Sequence, residues 1–345
     1  MNIATAPKTE SALPLLMVRN LRKYFAVKSD SLFGARPMVQ AVDDVSFSIN
    51  TGDTLGIVGE SGCGKSTTAR LLMHLIAPDT GEVWLAGKRL GGPAGVTLRD
   101  LRRNMQMVFQ DSYASLNPRL SVQDSIAFGP RAHGVAPQQA IAKARELLVL
   151  VGLEPGQFAR RYPHELSGGQ RQRVNIARAL ALGPRLVILD EAVSALDKSV
   201  EAQVLNLLMD LKKNLQLTYL FISHDLNVVQ YVSDRVLVMY LGKVVELGAV
   251  DAIYGRPRHP YTQALLASRP TMDPDIRIEK PPLVGDPPNP INPPSGCRFR
   301  TRCAYAENVC ETTEPALAPC DAAAGHSVAC HMLIRNSGHS RAANS

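Results

Sequence analysis

Val42, Val45, Phe47 and Ile49 recur with partial period-two spacing, so the stretch 16–50 is predicted to be strand-rich. Thr51-Gly52-Asp53 reads as a turn. Thr54 to Val58 is a short apolar strand that ends in a Gly-rich loop. Residues 66–76 then carry helical apolar spacing, Pro78 to Gly81 breaks it, and 82–85 returns to a strand. Further on, 122–152 is helical apart from an interruption at Gly134, Val135 and Pro137. Segments 167–182, 200–215 and 226–232 have helical spacing, whereas 186–189 and 219–222 are compact apolar strands. A hairpin is predicted for 236–240 and 243–247 around Leu241-Gly242. Strands alternating with helices specify an α/β fold with a mainly parallel sheet.

Composition sharpens this picture in three places. At 345 residues the chain exceeds one average domain, so one large domain plus an appendage is expected. No apolar run reaches the roughly 18 residues of a membrane span, and Met1 to Glu10 lacks the order of a secretion signal. The net charge of +7 suits solubility, nucleotide phosphates, an anionic leaflet or nucleic acid, and does not choose among them. After Ser268 the character changes. Pro281, Pro282, Pro287, Pro288, Pro290, Pro293 and Pro294 make a stiff linker, and five of the six cysteines follow it. The expected division is a flexible 1–15, a main domain over 16–268 with a helical part at about 110–185, a Pro- and Cys-rich region over 269–335, and a disordered tail over 336–345.

Gly59-Glu60-Ser61-Gly62-Cys63-Gly64-Lys65-Ser66-Thr67 fits G-x-x-x-x-G-K-[ST] between a predicted strand and a predicted helix, the context this pattern needs. Glycines let successive N–H groups curl around phosphate oxygens, and the helix N-terminus adds positive potential. Lys65 is placed to reach the β- and γ-phosphates of a nucleotide, and the Ser66 hydroxyl to ligate Mg²⁺. Cys63 reads as a small loop filler. A chance Gly-rich turn would not explain the flanking elements.

Leu166-Ser167-Gly168-Gly169-Gln170 opens a second helix with small residues and a capping serine. Two phosphate cradles in one chain serve one nucleotide only if they face each other, which implies a head-to-tail dimer. The apolar strand 186–189 ends in Asp190 and Glu191. Asp190 is placed to hold Mg²⁺, and Glu191 to polarise the attacking water as general base. Paired carboxylates buried without a cation would be costly. Gln110 and His224 each end a strand. Singly, either would be an ordinary structural hydrogen-bonder.

Taken in order, these features resemble the ATP-binding-cassette (ABC) transporter ATPases over roughly residues 16–255. The resemblance implies a P-loop NTPase RecA-like core with an antiparallel β subdomain and an α-helical signature subdomain, plus an irregular Cys-rich C-terminal extension. It implies ATP hydrolysis with Mg²⁺ held through Ser66, Gln110 and Asp190. Gln110 would sense Mg²⁺ and a membrane subunit, and His224 would contact the γ-phosphate and the water. Phe25 or Tyr24, with Phe25 preferred, would stack on adenine. Residues 194–197 would form a loop at the dimer seam, with Asp197, Ser167, Gly168, Gly169 and Gln170 facing the partner's ATP. Ala192 departs from the family's usual proline after Glu191, and activity is expected to survive it.

The segments 109–119, 162–165 and 258–262 resemble the oligopeptide/dipeptide importer branch, as does the Pro- and Cys-rich C-terminal region. That branch also moves nickel complexes and other small solutes. The resemblance implies a second, non-identical ABC ATPase as partner, two membrane permease subunits, an extracytoplasmic solute-binding protein, no nucleic acid, and a peripheral place on the cytoplasmic face of the bacterial cytoplasmic membrane. The alternative is a soluble cassette ATPase of DNA repair or translation. Such proteins carry two cassettes or a long coiled-coil insertion, and neither is present. Cys297, Cys303, Cys310 and Cys330 could supply four thiolates, but their spacing matches neither a ferredoxin run nor paired zinc-ribbon motifs. The resemblance favours a [4Fe–4S] cluster, with Zn²⁺ or free thiols as alternatives and Cys320 as spare. Arg99, Arg102 and Arg103 read as a solvated helix face.

Overall fold

The computed structural model describes residues 13–27, 36–269, 285–286, 288–321 and 325–342. Residues 1–12 of the expected flexible N-terminus, Pro281, Pro282 and Pro287 of the linker, and 343–345 of the tail lie outside these.

The chain opens with β1 (Leu16–Ala26) antiparallel to β2 (Met38–Ile49), then β3 (Thr54–Val58) and α1 (Lys65–Leu72). Next come β4 (Thr80–Leu85), β5 (Lys88–Arg89), α2 (Leu98–Asn104) and β6 (Met105–Val108). A helical section follows, with α3 (Val122–Ala132), α4 (Pro137–Leu150), α5 (Pro155–Phe158) and α6 (Gly168–Leu180). Then come β7 (Leu186–Asp190), α7 (Lys198–Leu215), β8 (Thr218–Ile222), α8 (Leu226–Val232), β9 (Arg235–Tyr240) and β10 (Lys243–Ala249). The C-terminal part holds α9 (Val250–Gly255), α10 (Pro260–Ala267), α11 (Asn308–Thr312), β11 (Ala318–Asp321) and β12 (His326–Val328).

Two sheets result. One is antiparallel with the order β2-β1-β4-β5, and the other runs β11-β12-β10-β9-β3-β8-β7-β6. Within the larger sheet, β9, β3, β8, β7 and β6 are parallel. Every residue of β3, β7 and β8 is buried. Their continuous apolar runs follow from being covered on both faces. Alternate residues still serve different cores. Ile57, Leu186, Ile188, Leu220 and Ile222 join the cluster under β1 and β2. Val58, Val187, Leu189 and Phe221 join the one under α3, α4 and α6 to α8. The chain therefore stacks two cores about one sheet, and the C-terminal ends of the five parallel strands point to a common edge.

The helix expected over 66–76 stops at Leu72, because His74 adopts a left-handed φ of 50° and turns the chain. The predicted hairpin is present. Leu241 (φ 44°) and Gly242 (φ 80°) form its two-residue turn, the doubly positive geometry that matches strand twist.

The C-terminal extension, expected to be irregular, corrects the reading in part. It is loop-rich, but β12 pairs with β10 and so extends the main sheet. The joint is polar and fully buried. Glu246, 0% exposed, accepts from the Arg258 N–H (2.7 Å) and the His259 N–H (3.0 Å) and meets His326 Nε2 at 2.7 Å. The expected disorder of 336–345 does not hold over 336–342. His339 is buried, with Nε2 2.8 Å from the Tyr305 carbonyl.

His259 beneath this joint is enclosed, and burial pushes its pKa down to about 3. Its folded pKa lies below the unfolded value near 6.5, so its contribution is complete above that pH and is lost as pH falls. Denaturant titrations are expected to show a loss of about 1.4 kcal/mol per unit from this group below pH 6.5. His259→Gln should remove that component of the slope.

Candidate active site

The loop 59–64 begins where β3 ends, and its backbone geometry explains its glycines. Gly59 (φ 150°), Gly62 (φ 78°) and Gly64 (φ 107°) all have positive φ. Lys65, the first residue of α1, is buried, and its ammonium donates to the carbonyls of Gly59 (2.7 Å) and Glu60 (3.0 Å). The cradle is held from outside as well. The hairpin turn's Gly242 N–H donates to the Cys63 carbonyl (2.9 Å), and the Glu60 N–H donates to the Tyr261 hydroxyl (2.9 Å). Sequence reasoning missed Tyr261 as a support, although it lies in the 258–262 segment. Cys63 is the expected filler: it is 3% exposed, and burial pushes its thiol pKa up.

A cleft of about 500 Å³ opens over this loop, lined by Ser61, Gly62, Gly64, Lys65, Ser66, Thr67, Gln110, Glu191 and His224, with Val39 and Ala41 of β2 completing the lining. The Ser66 hydroxyl donates to Asp190 Oδ1 at 2.8 Å. Asp190 is 3% exposed, and burial, with Glu191 beside it, raises its pKa despite the Ser66 bond. A hydroxyl and a carboxylate at the end of a strand are hard oxygen donors. They fit Mg²⁺, which keeps several waters and takes phosphate oxygens for its remaining positions. When bound, Mg²⁺ would neutralise charge on the phosphates and on Asp190.

Glu191 stands at the rim. Gln110 Nε2 donates to its Oε2 at 2.7 Å, and His224 Nδ1 lies 3.5 Å from the same oxygen. Three residues from three strand ends thus meet at one carboxylate that faces the cleft, the arrangement a water-activating base requires. For adenine, Tyr24 and Phe25 part ways. The Tyr24 hydroxyl is committed to Asp43 Oδ1 at 2.7 Å, while Phe25 sits opposite Val39, which lines the cleft.

The segment 166–170 forms a capped helix start: Ser167 Oγ accepts from the Gln170 N–H (3.3 Å), and Gln170 Oε1 from the Ser167 N–H (3.0 Å). A Cβ on Gly169 would meet Val200 Cγ1 at 2.5 Å, so glycine lets α6 approach the start of α7. Gly168 lines a second groove with Gln110 to Tyr113 and Ser194 to Leu196, which adjoins the phosphate-loop cleft at Gln110, and Ser167 and Asp197 are exposed. Within one chain, therefore, this segment does not line the cleft over 59–67. Arg173 bonds the Val151 carbonyl (2.7 Å), a core role, and Arg99, Arg102 and Arg103 are solvated as expected.

Two family models match the chain: ABC transporter over residues 42–194, and oligopeptide/dipeptide transporter, C-terminal region, over 245–310. The probable peptide ABC transporter ATP-binding protein y4tS of Sinorhizobium fredii is 50% identical over 92% of this chain and 90% of that protein. The oligopeptide transport ATP-binding protein AppF of Bacillus subtilis is 48% identical over 95% of this chain and 99% of its own. The chain belongs to the ATP-binding subunits of the ABC transporters. Among solved structures, cbiO1 of Clostridium perfringens, part of the ABC transporter complex cbiONQ, matches with a TM-score of 0.60 and 27% identity, covering 70% of this chain and 91% of that one. The ABC ATPase fold is therefore shared across the core. No helix among the described residues is long and apolar enough to cross a membrane.

The expectation of a metal site at the cysteines finds no support here. Cys297, Cys303, Cys310 and Cys330 do line one cavity, but it measures about 20 Å³. Such a space holds about one water. Burial pushes the thiols of Cys297 and Cys330 up to about 11 and 12, which favours the protonated form. Among the described residues no three His, Cys, Asp or Glu side chains are arranged to hold a metal ion. The thiols as placed do not fit an iron–sulfur cluster or Zn²⁺.

Proposed function

We propose that this ABC ATPase powers import of dipeptides or oligopeptides across the bacterial cytoplasmic membrane. The observation that carries the reading is the single cleft in which Lys65, Ser66, Gln110, Glu191 and His224 converge. ATP would lie with its phosphates over 59–67 and its adenine against Phe25, with Mg²⁺ held by Ser66 and Asp190. Glu191 would take a proton from the attacking water, with Gln110 and His224 orienting that water and the γ-phosphate. Ser167 to Gln170 and Asp197 would close over the ATP of a second, non-identical ATPase. The exposure of Ser167 and Asp197, and the absence of 166–170 from the lining of the cleft over 59–67, support this arrangement. Two permease subunits and an extracytoplasmic binding protein would complete the importer, with this chain docked at the cytoplasmic face. The branch-specific C-terminal match and the names of the relatives support a peptide cargo.

The test is ATP turnover by the complex reconstituted in liposomes with its permeases and binding protein. Peptide-loaded binding protein is expected to raise turnover, and Lys65→Ala to lower it at least about tenfold, since it removes a charge aimed at the transferred phosphoryl group. Turnover indifferent to peptide would refute the cargo. A Lys65→Ala complex as fast as the parent would refute the site.

A further inference from the structure

The C-terminal region touches the phosphate loop at one charged point. Glu60, second in the loop, points its carboxylate away from the cleft into a fork formed by Arg302. Nη1 lies 2.7 Å from Oε2, and Nη2 lies 3.1 Å from Oε1. The Arg302 side chain is only 5% exposed, against 22% for Glu60. The guanidinium also sits 6.0 Å from the Tyr240 ring centroid. Tyr240 packs at 4.6 Å on Tyr261 and 5.3 Å on Phe299. Tyr261 in turn takes the Glu60 N–H. Burial works against the charge of Arg302, but its bonds to Glu60 and Tyr240 outweigh burial and hold its pKa above the ordinary value. One end of this network is therefore the loop itself, and the other is a segment 242 positions further along the chain.

We propose that Arg302 is a positioning residue for the nucleotide site, acting by neutralising the Glu60 carboxylate and keeping it turned away from the phosphates. The inference rests on the reading that ATP phosphates lie over 59–67. A carboxylate freed within the loop would face a triphosphate of like charge in a part-buried setting, where salt screens weakly. The same freedom would slacken the backbone of Glu60, whose carbonyl receives Lys65. A packing role for Arg302 would predict a different pattern, because removing the carboxylate could not then repair its loss.

The experiment measures affinity of the purified full-length chain for Mg²⁺ with a non-hydrolysable ATP analogue, alongside thermal melts. Arg302→Gln is expected to weaken binding about tenfold, with little relief in high salt because the part-buried charges are weakly screened. Adding Glu60→Gln to that variant is expected to restore several-fold of the loss without raising its melting temperature. Arg302→Lys keeps the charge without the fork and should lose no more than about threefold. If Arg302→Gln does not fold, Arg302→Lys with and without Glu60→Gln decides. The remaining loss of the lysine variant should then shrink when Glu60 is neutralised, and a loss that Glu60→Gln leaves unchanged or deepens overturns the proposal. Arg302→Gln binding like the parent, or a double variant no better than Arg302→Gln alone, overturns the proposal. Lys65→Ala separates the two levels. If it binds the analogue like the parent, the site reading itself fails. If it loses binding while Arg302→Gln does not, only the role of Arg302 fails.

Discussion

Glu191→Gln is expected to lower ATP turnover by about 10²–10⁴-fold while nucleotide stays bound, because it removes a general base and little else. The side chain it replaces is held from several directions. Its backbone N–H donates to the Ile222 carbonyl of β8 at 2.9 Å, and its carbonyl accepts from the Ser194 N–H (3.2 Å) and hydroxyl (3.0 Å). These bonds keep Glu191 at a left-handed φ of 49°, a conformation that costs an L-residue about 1–2 kcal/mol. Strain at a rim residue facing the cleft is what a fixed catalytic geometry looks like. Glutamine has the same shape and keeps a carbonyl oxygen for the Gln110 amide. Single-turnover measurements should therefore show slow chemistry with normal loading. A loss of loading equal to the loss of turnover would mean that Glu191 is structural. The same bonds account for Ala192. It is 3% exposed and packs into the core, so the turn that proline would stiffen is already tied at both ends.

The elements were readable where one rule governs several residues in a row. All-apolar strands such as 186–189 announce a sheet covered on two faces, and the phosphate loop and Ser167-Gly168-Gly169-Gln170 carry their backbone chemistry in their glycines. Asp190 and Glu191 were legible because two carboxylates after a buried strand demand a cation or a reaction. What stayed hidden was contact between distant segments. Nothing in the local pattern says that Gly242 bonds Cys63, that Tyr261 bonds Glu60, or that Arg302 reaches back to the loop. Each pair is set by tertiary packing. The short β12 was missed for a related reason: three residues carry no periodicity, and its place beside β10 is fixed by the buried Glu246–His326 contact. The cysteine cluster could not be assigned from the sequence because a count of thiols says nothing about the space between them.

Gly64 gives the sharpest test of the cradle, because two independent penalties meet there. Its φ of 107° and ψ of 0° lie where an L-residue is strained. A Cβ at that position would also stand 2.2 Å from the Ala41 carbonyl oxygen of β2. That oxygen is backbone in a paired strand, so no rotamer relieves the clash, and the loop itself has to move by roughly 1 Å. Misplacement of that size costs about 10²-fold in rate when it shifts reacting groups. Lys65 and Ser66 follow directly, and the Gly64 carbonyl takes both the N–H and the hydroxyl of Thr68, so displacement passes into the first turn of α1. Gly64→Ala is therefore expected to lose turnover about 10²-fold or more, with nucleotide affinity falling in parallel. Gly183→Ala is the matched control. Its φ of 62° is also left-handed, but a Cβ there meets nothing within 4 Å. It should cost about 1 kcal/mol of stability and leave turnover within about twofold. If both variants lose the same modest activity, general strain is responsible. If Gly64→Ala hydrolyses ATP near the parental rate, the backbone of 59–67 does not hold the phosphates.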